Sequence, residues 1–390
     1  MLHHAIRAAV TVALLGTFSG VAYYVLCIWS ATKFLRARRL GASVSANSSF
    51  PPVSILKPLK GTDPEMHESF RSHCRQDYPR YEIIFGASDR DDPALAVVER
   101  LKAEFPHRDI RSLVCPQVLG TNVKVSNLAH MVPVAKYDHL VVNDSDIQVS
   151  ADYLRRIMAP LDDPKVGMVT CLYRGVAGPT LGSRLEAVGI STDFSAGVLL
   201  AKELEGGIRF GLGSTLAFRR RELQSIGGFE ALVDYLADDY ELGARIAAQS
   251  LEVKLAPVVV ETHLPAYSLR RFFEHQLRWA RSVRGSRAGG YFGLILTMGI
   301  PWALLGLLLS RGANWAWALL GVTLAARLCM AVVVGRHVLQ DRQMPSLLWL
   351  VPLRDVITLV VWVASYAGHK VHWRGDDFYL KGGKLGRINS

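Results

Sequence analysis

Cysteine is scarce in this sequence. There are five in 390 residues (Cys27, Cys74, Cys115, Cys171 and Cys329), and none has the paired spacing of a metal site. Two lie inside long apolar runs. Nothing suggests a disulfide framework, which suits a cytosolic catalytic part. A dinucleotide-binding glycine fingerprint is missing too: the first predicted strand reads Val53-Ser54-Ile55-Leu56-Lys57-Pro58, and no G-x-G-x-x-G follows it. That argues against a dinucleotide-dependent oxidoreductase. Internal repeats and low-complexity segments are absent. Acidic residues are outnumbered, 34 Asp and Glu against 45 Lys and Arg, for a net charge of +11. The excess sits beside apolar runs and forms no aromatic-basic motif, which argues against nucleic-acid binding. It suits membrane orientation, anionic headgroups and a basic cleft for a diphosphate.

What the chain has in abundance is apolar sequence, half of its residues. Ala8 to Trp29 is nearly uncharged and about 22 residues long, enough to cross a hydrocarbon core of ~30 Å. A cleavable signal peptide has a shorter apolar region, about 7–15 residues. Here Lys33, Arg36, Arg38 and Arg39 follow directly. This reads as a signal anchor with the bulk of the chain in the cytosol. Three more apolar runs close the chain: Tyr291 to Ser310, Ala313 to Gly335 and Leu347 to Ala367. Arg327 interrupts the second, and Arg354 with Asp355 the third. Charge in hydrocarbon is costly, so each should face a partner helix, an interface or a polar cavity. Arg354 and Asp355 also fit the interfacial end of a shorter helix. An anchor plus three full spans would leave the tail outside, yet Lys370, Arg374, Lys381, Lys384 and Arg387 favour the cytosol. One C-terminal run is therefore expected to be interfacial or re-entrant.

Between these ends the pattern alternates. A loop-like linker, Gly41 to Pro52, is rich in Ser, Ala, Asn and Pro. Short apolar, β-branched runs follow at Val53–Leu56, Glu82–Gly86, Ile110–Val114, His139–Asn143 and Val166–Leu172. Helix-compatible stretches separate them, at Glu65–Arg75, Pro93–Phe105, Lys124–Val134 and Ala151–Leu161. This predicts an α/β domain with a mainly parallel sheet covered on both faces. Such sheets bind ligands at the C-terminal ends of their strands. The expected organisation is an anchor over 1–40, a catalytic domain over 41–287, and membrane segments with a basic cytosolic tail over 288–390. Leu181 to Leu204, with Phe194, Val198, Leu199 and Leu200, reads equally as a membrane-facing surface or a core helix.

Three acidic clusters fall where such a sheet places ligands: Asp89-Arg90-Asp91-Asp92-Pro93, Asn143-Asp144-Ser145-Asp146, and Ala237-Asp238-Asp239-Tyr240. Each also reads as an N-cap or turn, where Asp is common. Asp144 and Asp146, one residue apart after a buried strand, are suited to converge on a divalent ion, Mg²⁺ or Mn²⁺, bridging a diphosphate. Sugar transfer from a nucleotide diphosphate needs a neutralised leaving group, a bound nucleotide and a base. Asp91 or Asp92 suits the nucleotide, Asp239 the base, and Arg278 with Trp279 the diphosphate and the acceptor mouth. Arg278 and Trp279 read equally as an interfacial anchor.

Together these motifs resemble the inverting family 2 clan of glycosyltransferases, and within it the ceramide glucosyltransferase family, including the bacterial hopanoid-associated glycosyltransferases. The likeness is carried by Leu56-Lys57-Pro58-Leu59-Lys60-Gly61, Asp77-Tyr78-Pro79, Asp89 to Pro93, Asn122 to Leu128, Asn143 to Ile147, Gly227-Gly228-Phe229, Asp238-Asp239-Tyr240 and Arg278-Trp279. His372-Trp373-Arg374-Gly375 with Gly382-Gly383 fits as well. The resemblance implies a GT-A, Rossmann-like fold, a UDP-sugar donor, a divalent metal, inversion, and a lipid acceptor in the bilayer. It places Lys57, Pro58, Asp91, Asp92, Lys124, Asn127, Asp144 and Asp146 around the donor, and Asp238, Asp239, His275 and Trp279 around the acceptor. His275 departs from the wider clan, which has Gln or Arg at the first position of Q-x-x-R-W. A similar His-x-Leu-Arg-Trp-Ala-Arg run, and one like Thr170-Cys171-Leu172-Tyr173-Arg174-Gly175, occur in the hopanoid-associated proteins. They tilt the reading toward a hopanoid acceptor with an N-acetylglucosamine donor. The rival readings are a processive polysaccharide synthase, which needs more membrane helices, and a non-catalytic lipid-binding scaffold, which needs no intact acidic clusters.

Overall fold

The computed structural model describes residues 1–40, 50–373 and 376–387. Most of the linker and Arg374-Gly375 lie outside them. The chain forms two compact units. One is assembled from Met1–Arg36, Ala177–Glu203 and Ala266–Asp376, the other from Ala37–Val176, Leu204–Pro265 and Asp377–Ser390. We call them the helical unit and the sheet unit.

The sheet unit has strands β1 (Val53–Leu59), β2 (Tyr81–Ala87), β3 (Asp109–Val114), β4 (His139–Val142), β5 (Ile147–Gln148), β6 (Val166–Val176), β7 (Leu216–Arg219) and β8 (Glu252–His263), in the order β3-β2-β1-β4-β7-β6-β8-β5. Every residue of β1 and β2 is buried, as expected of apolar runs covered on both faces. Successive side chains point to opposite faces of a strand. Val53, Ile55, Ile83 and Phe85 accordingly enter one core with the helices Met66–Cys74 and Pro93–Glu104. Leu56 and Ile84 enter the other with Val123–Met131 and Asp238–Ala248.

The sheet is mainly parallel, as expected, with β7 and β5 reversed. β3-β2-β1-β4 and the β6–β8 pair are parallel, but β7 runs antiparallel to β4 and β6, and β5 to β8. β7 is four residues long and follows the turn-rich Gly211-Leu212-Gly213-Ser214-Thr215. A strand entered from a turn needs no crossover helix and can run against its neighbours. Strand order reverses between β1 and β4, the place where sheets of this kind form a crevice. β1 stops pairing with β4 at Leu56, yet continues along β2 to Leu59. Lys57 and Pro58 therefore extend past the end of β4, where a residue without an N–H is tolerated.

In the helical unit, three helices are long and apolar enough to cross a membrane: His3–Arg39, Asn314–Val338 and Met344–Ser365. The expectation of about three C-terminal segments is corrected to two. The first predicted run splits into Ala288–Thr297 and Gly299–Leu309, bent by 53°. Pro301 explains the break. It has no N–H for the Thr297 carbonyl, and its ring would clash with that carbonyl in a continuous helix.

Of the charges in these helices, Arg327 is paired with acids and Arg354 is held by neutral groups. Arg327 donates to Asp193 Oδ1 at 2.6 Å and to Asp355 Oδ1 at 2.8 Å. Arg354 donates to Gln276 Oε1 and, at 2.6 Å, to Thr358 Oγ1. Arg354 and Asp355 are buried and stand near the N-terminal end of the helix Val351–Ser365. In the 181–204 stretch Val198, Leu199 and Leu200 are buried, as in a core helix.

Candidate functional site

The C-terminal ends of the central strands bring six of the predicted residues, Lys57, Lys124, Asp144, Asp146, Asp238 and Asp239, into direct contact or shared charge. Lys57, at the end of β1, is fully buried, and its Nζ donates to the Asp144 carbonyl at 3.0 Å. Burial pulls its pKa down to about 7, against the opposing pull of Asp146, Asp144 and Asp63. Lys124 lies in the first turn of the helix Val123–Met131, which Asn122 caps through the Val125 amide. Its Nζ lies 2.8 Å from Asp144 Oδ1 and 3.1 Å from Asp238 Oδ2. Burial alone would depress Lys124, but Asp144, Asp238 and Asp239 outweigh it and hold the ammonium well above its usual range. One cation therefore ties the second acidic cluster to the third.

Asp239 stands in the first turn of the helix Asp238–Ala248. Its Oδ2 accepts from the Gly213 amide at 2.7 Å and its Oδ1 from the Tyr240 amide at 2.8 Å. Burial, then the neighbouring Asp238, raise its pKa, and Lys124 opposes them. Gly213 separates the two clusters. A Cβ there would lie 3.0 Å from Asp144 Oδ2 and 3.2 Å from Asp239 Oδ2. The Asp144 carboxylate is 41% exposed. Asp146 is pushed up to about 6 by burial and by repulsion from Asp144, although the Thr262 hydroxyl donates to its Oδ2.

The remaining predicted donor residues have local structural partners. Asp92 accepts from the Ala94 amide at 2.9 Å as the N-cap of Pro93–Glu104. Its carboxylate also accepts from the Gly61 amide at 2.9 Å, which holds the loop leaving β1. Asp91 is exposed beside it. Asn127 is buried. It accepts from the Ser88 hydroxyl at 2.9 Å and so fixes the residue that follows β2. Pro58 is buried opposite Gly86.

His275, Arg278 and Trp279 belong to the helical unit, on the helix Leu269–Ser286. His275 Nδ1 lies 3.0 Å from Glu186, which is 1% exposed. The His275 ring lies 5.5 Å from that of Tyr267 and 5.3 Å from that of Trp279. Sequence reasoning missed Glu186, Asp63, Gly213 and Thr262. Asp63, which accepts from the Ser145 hydroxyl, sits in Gly61-Thr62-Asp63-Pro64 and reads as an ordinary turn.

Lys124→Met should cost roughly 2–4 kcal/mol of stability at neutral pH, somewhat below the usual penalty for breaking a buried pair because Asp144 is partly exposed. The carboxylates left behind repel one another, and Asp239, already raised, rises further. The folded state then holds protons that the unfolded chain releases above pH ~4. Stability of the variant should accordingly recover as pH falls from 7.5 to 5. Thermal unfolding at both pH values checks this, and an equal deficit at both refutes it.

Comparison with known proteins places this geometry in context. The chain is 25% identical over 244 residues to ceramide glucosyltransferase 3 of Caenorhabditis elegans, covering 62% of this chain and 53% of that one. It is 40% identical over 114 residues to the ceramide glucosyltransferase of Komagataella phaffii, covering 28% and 22%. The chain thus spans about half, or less, of the length of these relatives. Among solved structures it resembles a mannosyltransferase from Pyrobaculum calidifontis in complex with GDP-Man and Mn²⁺. The TM-score is 0.51 and the identity 19%, over 92% of this chain and 99% of that one. That likeness shows a shared glycosyltransferase-like fold. The sequence pattern of glycosyl transferase family 21 runs through both units, from residue 12 to residue 385, and the chain belongs to that family.

Proposed function

We propose that the protein transfers a sugar from a UDP-sugar to a hydroxyl of a membrane lipid, with inversion at the anomeric carbon. The observation that carries this reading is the nest in which Lys124 bridges Asp144 and Asp238 while Asp239 leans on the Gly213 amide. It lies in a family 21 chain that also carries membrane-length helices. Asp239 takes the acceptor proton, the hydroxyl oxygen bonds to the anomeric carbon, the bond from that carbon to the diphosphate oxygen breaks, and UDP leaves. Lys57, Pro58, Asp91, Asp92, Lys124 and Asn127 surround the donor. We assign Asp238, His275 and Trp279 to the acceptor, and Arg278 with Trp279 to the diphosphate and the acceptor mouth.

Asp144 and Asp146 would hold Mg²⁺ or Mn²⁺. Their mutual repulsion is what a cation relieves. Among the described residues no three His, Cys, Asp or Glu form a cage, and Mg²⁺ is commonly held by one or two carboxylates with substrate phosphates supplying the rest. When bound, the ion offsets charge on the leaving diphosphate.

The donor we favour is UDP-N-acetylglucosamine or UDP-glucose, and the acceptor a hopanoid such as bacteriohopanetetrol, or ceramide. We assign the catalytic domain to 41–287, on the cytosolic face of a bacterial inner membrane, between the anchor over 1–40 and the segments over 288–390. Mass spectrometry of lipids from cells with and without the gene tests the reading. It expects a glycosylated lipid only where the gene is present, and identical lipid profiles would sink it. Gly213→Ala should lower transfer by roughly 10–10²-fold through misplacement of a carboxylate, with little change in thermal stability. Transfer kinetics beside a melting curve check this, and a wild-type rate would show that the gap over Gly213 does not matter.

A further inference from the structure

The chain ends in a hairpin, Asp376–Lys381 and Lys384–Arg387, closed by Gly382-Gly383 with both residues in the left-handed region. This is the two-residue turn that matches strand twist. Pairing runs from Phe378 opposite Arg387 to Lys381 opposite Lys384. The second strand has another edge, and that edge is occupied. The Leu385 amide donates to the Asp234 carbonyl at 2.7 Å, and the Leu236 amide donates to the Gly383 carbonyl at 3.1 Å. Tyr235 and Lys384 form an antiparallel bridge, and the Lys384 ammonium lies 5.2 Å over the Tyr235 ring. Residues 234–236 thus join the hairpin as an added strand, the arrangement by which extended peptides are captured at sheet edges.

The captured segment leads directly to the acids. Asp238 and Asp239 follow Leu236 after one residue. The segment is also tied to the start of the Lys124 helix. The Thr121 amide and hydroxyl each lie 3.0 Å from Asp234 Oδ1, the Asn122 amide donates to the Val233 carbonyl at 2.7 Å, and Asn122 Nδ2 donates to the Tyr235 carbonyl at 2.8 Å. Residues 233–237 belong to no strand of the eight-stranded sheet. We propose that the C-terminal hairpin is a positioning element of the reaction: it holds the 233–237 segment, and through it sets Asp238 and Asp239 against Lys124. This rests on the reading of Asp239 as the base.

The test uses the full-length protein. Leu385→Pro removes the amide that donates to the Asp234 carbonyl, while the Leu385 amide takes no part in the pairing of the hairpin's own strands. Hydrogen exchange over 233–240 should rise about tenfold in this variant while β1 stays protected, which is local opening and not unfolding. Transfer should fall by roughly 10–10²-fold with UDP-sugar affinity nearly unchanged. Thr121→Val removes the hydroxyl that donates to Asp234 Oδ1 and, at 3.3 Å, to the Leu385 carbonyl, but keeps the Thr121 amide bond and the Leu385 amide bond, so it should move both readouts the same way by less. Unchanged exchange over 233–240 overturns the proposal. So does a wild-type transfer rate in an assay where Asp239→Asn has lost activity, or a loss of donor affinity equal to the loss of rate. Should Asp239→Asn keep its transfer, the assignment of the base falls instead, and the exchange measurement alone decides whether the hairpin holds the loop.

Discussion

Asp239→Asn should still bind the UDP-sugar and lose transfer by ~10²–10⁴-fold, the usual worth of a general base. An acceptor hydroxyl is a poor nucleophile at neutral pH, and Asp239, like Asp146, is a carboxylate whose surroundings raise its basicity; of the two, Asp146 is assigned to the metal. Burial and Asp238 push its pKa up, and Lys124 limits the rise. The base acts ionised, so the rate should fall as pH drops through that raised value, and this acid limb should vanish in the variant. The alternative role is local. Asp239 accepts from the amides of Gly213 and Tyr240, and negative charge in a first helical turn is favourable. Asn retains one acceptor oxygen, so a purely structural Asp239 would cost about 1 kcal/mol of stability and little activity. Asp238→Asn should be milder, since Asp238 pairs with Lys124. Transfer rate measured beside donor affinity for both variants separates the roles, and a near-normal rate for Asp239→Asn places the base elsewhere.

Asp144→Asn should lower transfer on the order of 10²–10³-fold, the scale of removing one preorganised stabiliser of developing charge. The fold should survive, because the contact of the Asp144 main chain with Lys57 is through its carbonyl. The side chain is partly exposed, so its loss opens no cavity. Excess EDTA should depress the wild type to a similar degree, and Mn²⁺ or Mg²⁺ should restore it. Full activity of the variant, or of the wild type in EDTA, would refute the metal role of Asp144 and Asp146.

Much of this site can be read from the sequence because its residues sit at strand ends. Lys57 ends a predicted strand, and Asn143 to Asp146 follow another. Position relative to a buried apolar run is the signal that hydrophobic patterning reports best. Asp238 and Asp239 are legible as helix-start acids, but the pairing of Asp238 with Lys124 spans 114 residues and has no local trace. Gly213 reads as one turn glycine among several, since its role is the absence of a methyl group between two carboxylates. Glu186 looks like a surface acid on an amphipathic helix, and its burial against His275 follows from packing within the helical unit. The antiparallel β7 is illegible for a related reason: strand direction is set by the connection and the neighbours. The broken helix at Pro301, by contrast, is visible in the sequence, because apolarity alone does not make a span when a proline interrupts its hydrogen bonds.

The docking of the tail also fixes the parity of the chain's path through the bilayer. Residues 383–385 bond to residues 234–236, so the polypeptide must return to the face it left after Pro265. A path that leaves one face and returns to it crosses an even number of times. The two long apolar helices, Asn314–Val338 and Met344–Ser365, supply that even number. A further crossing by the bent pair Ala288–Thr297 and Gly299–Leu309 would make the number odd and would part the tail from the residues it bonds.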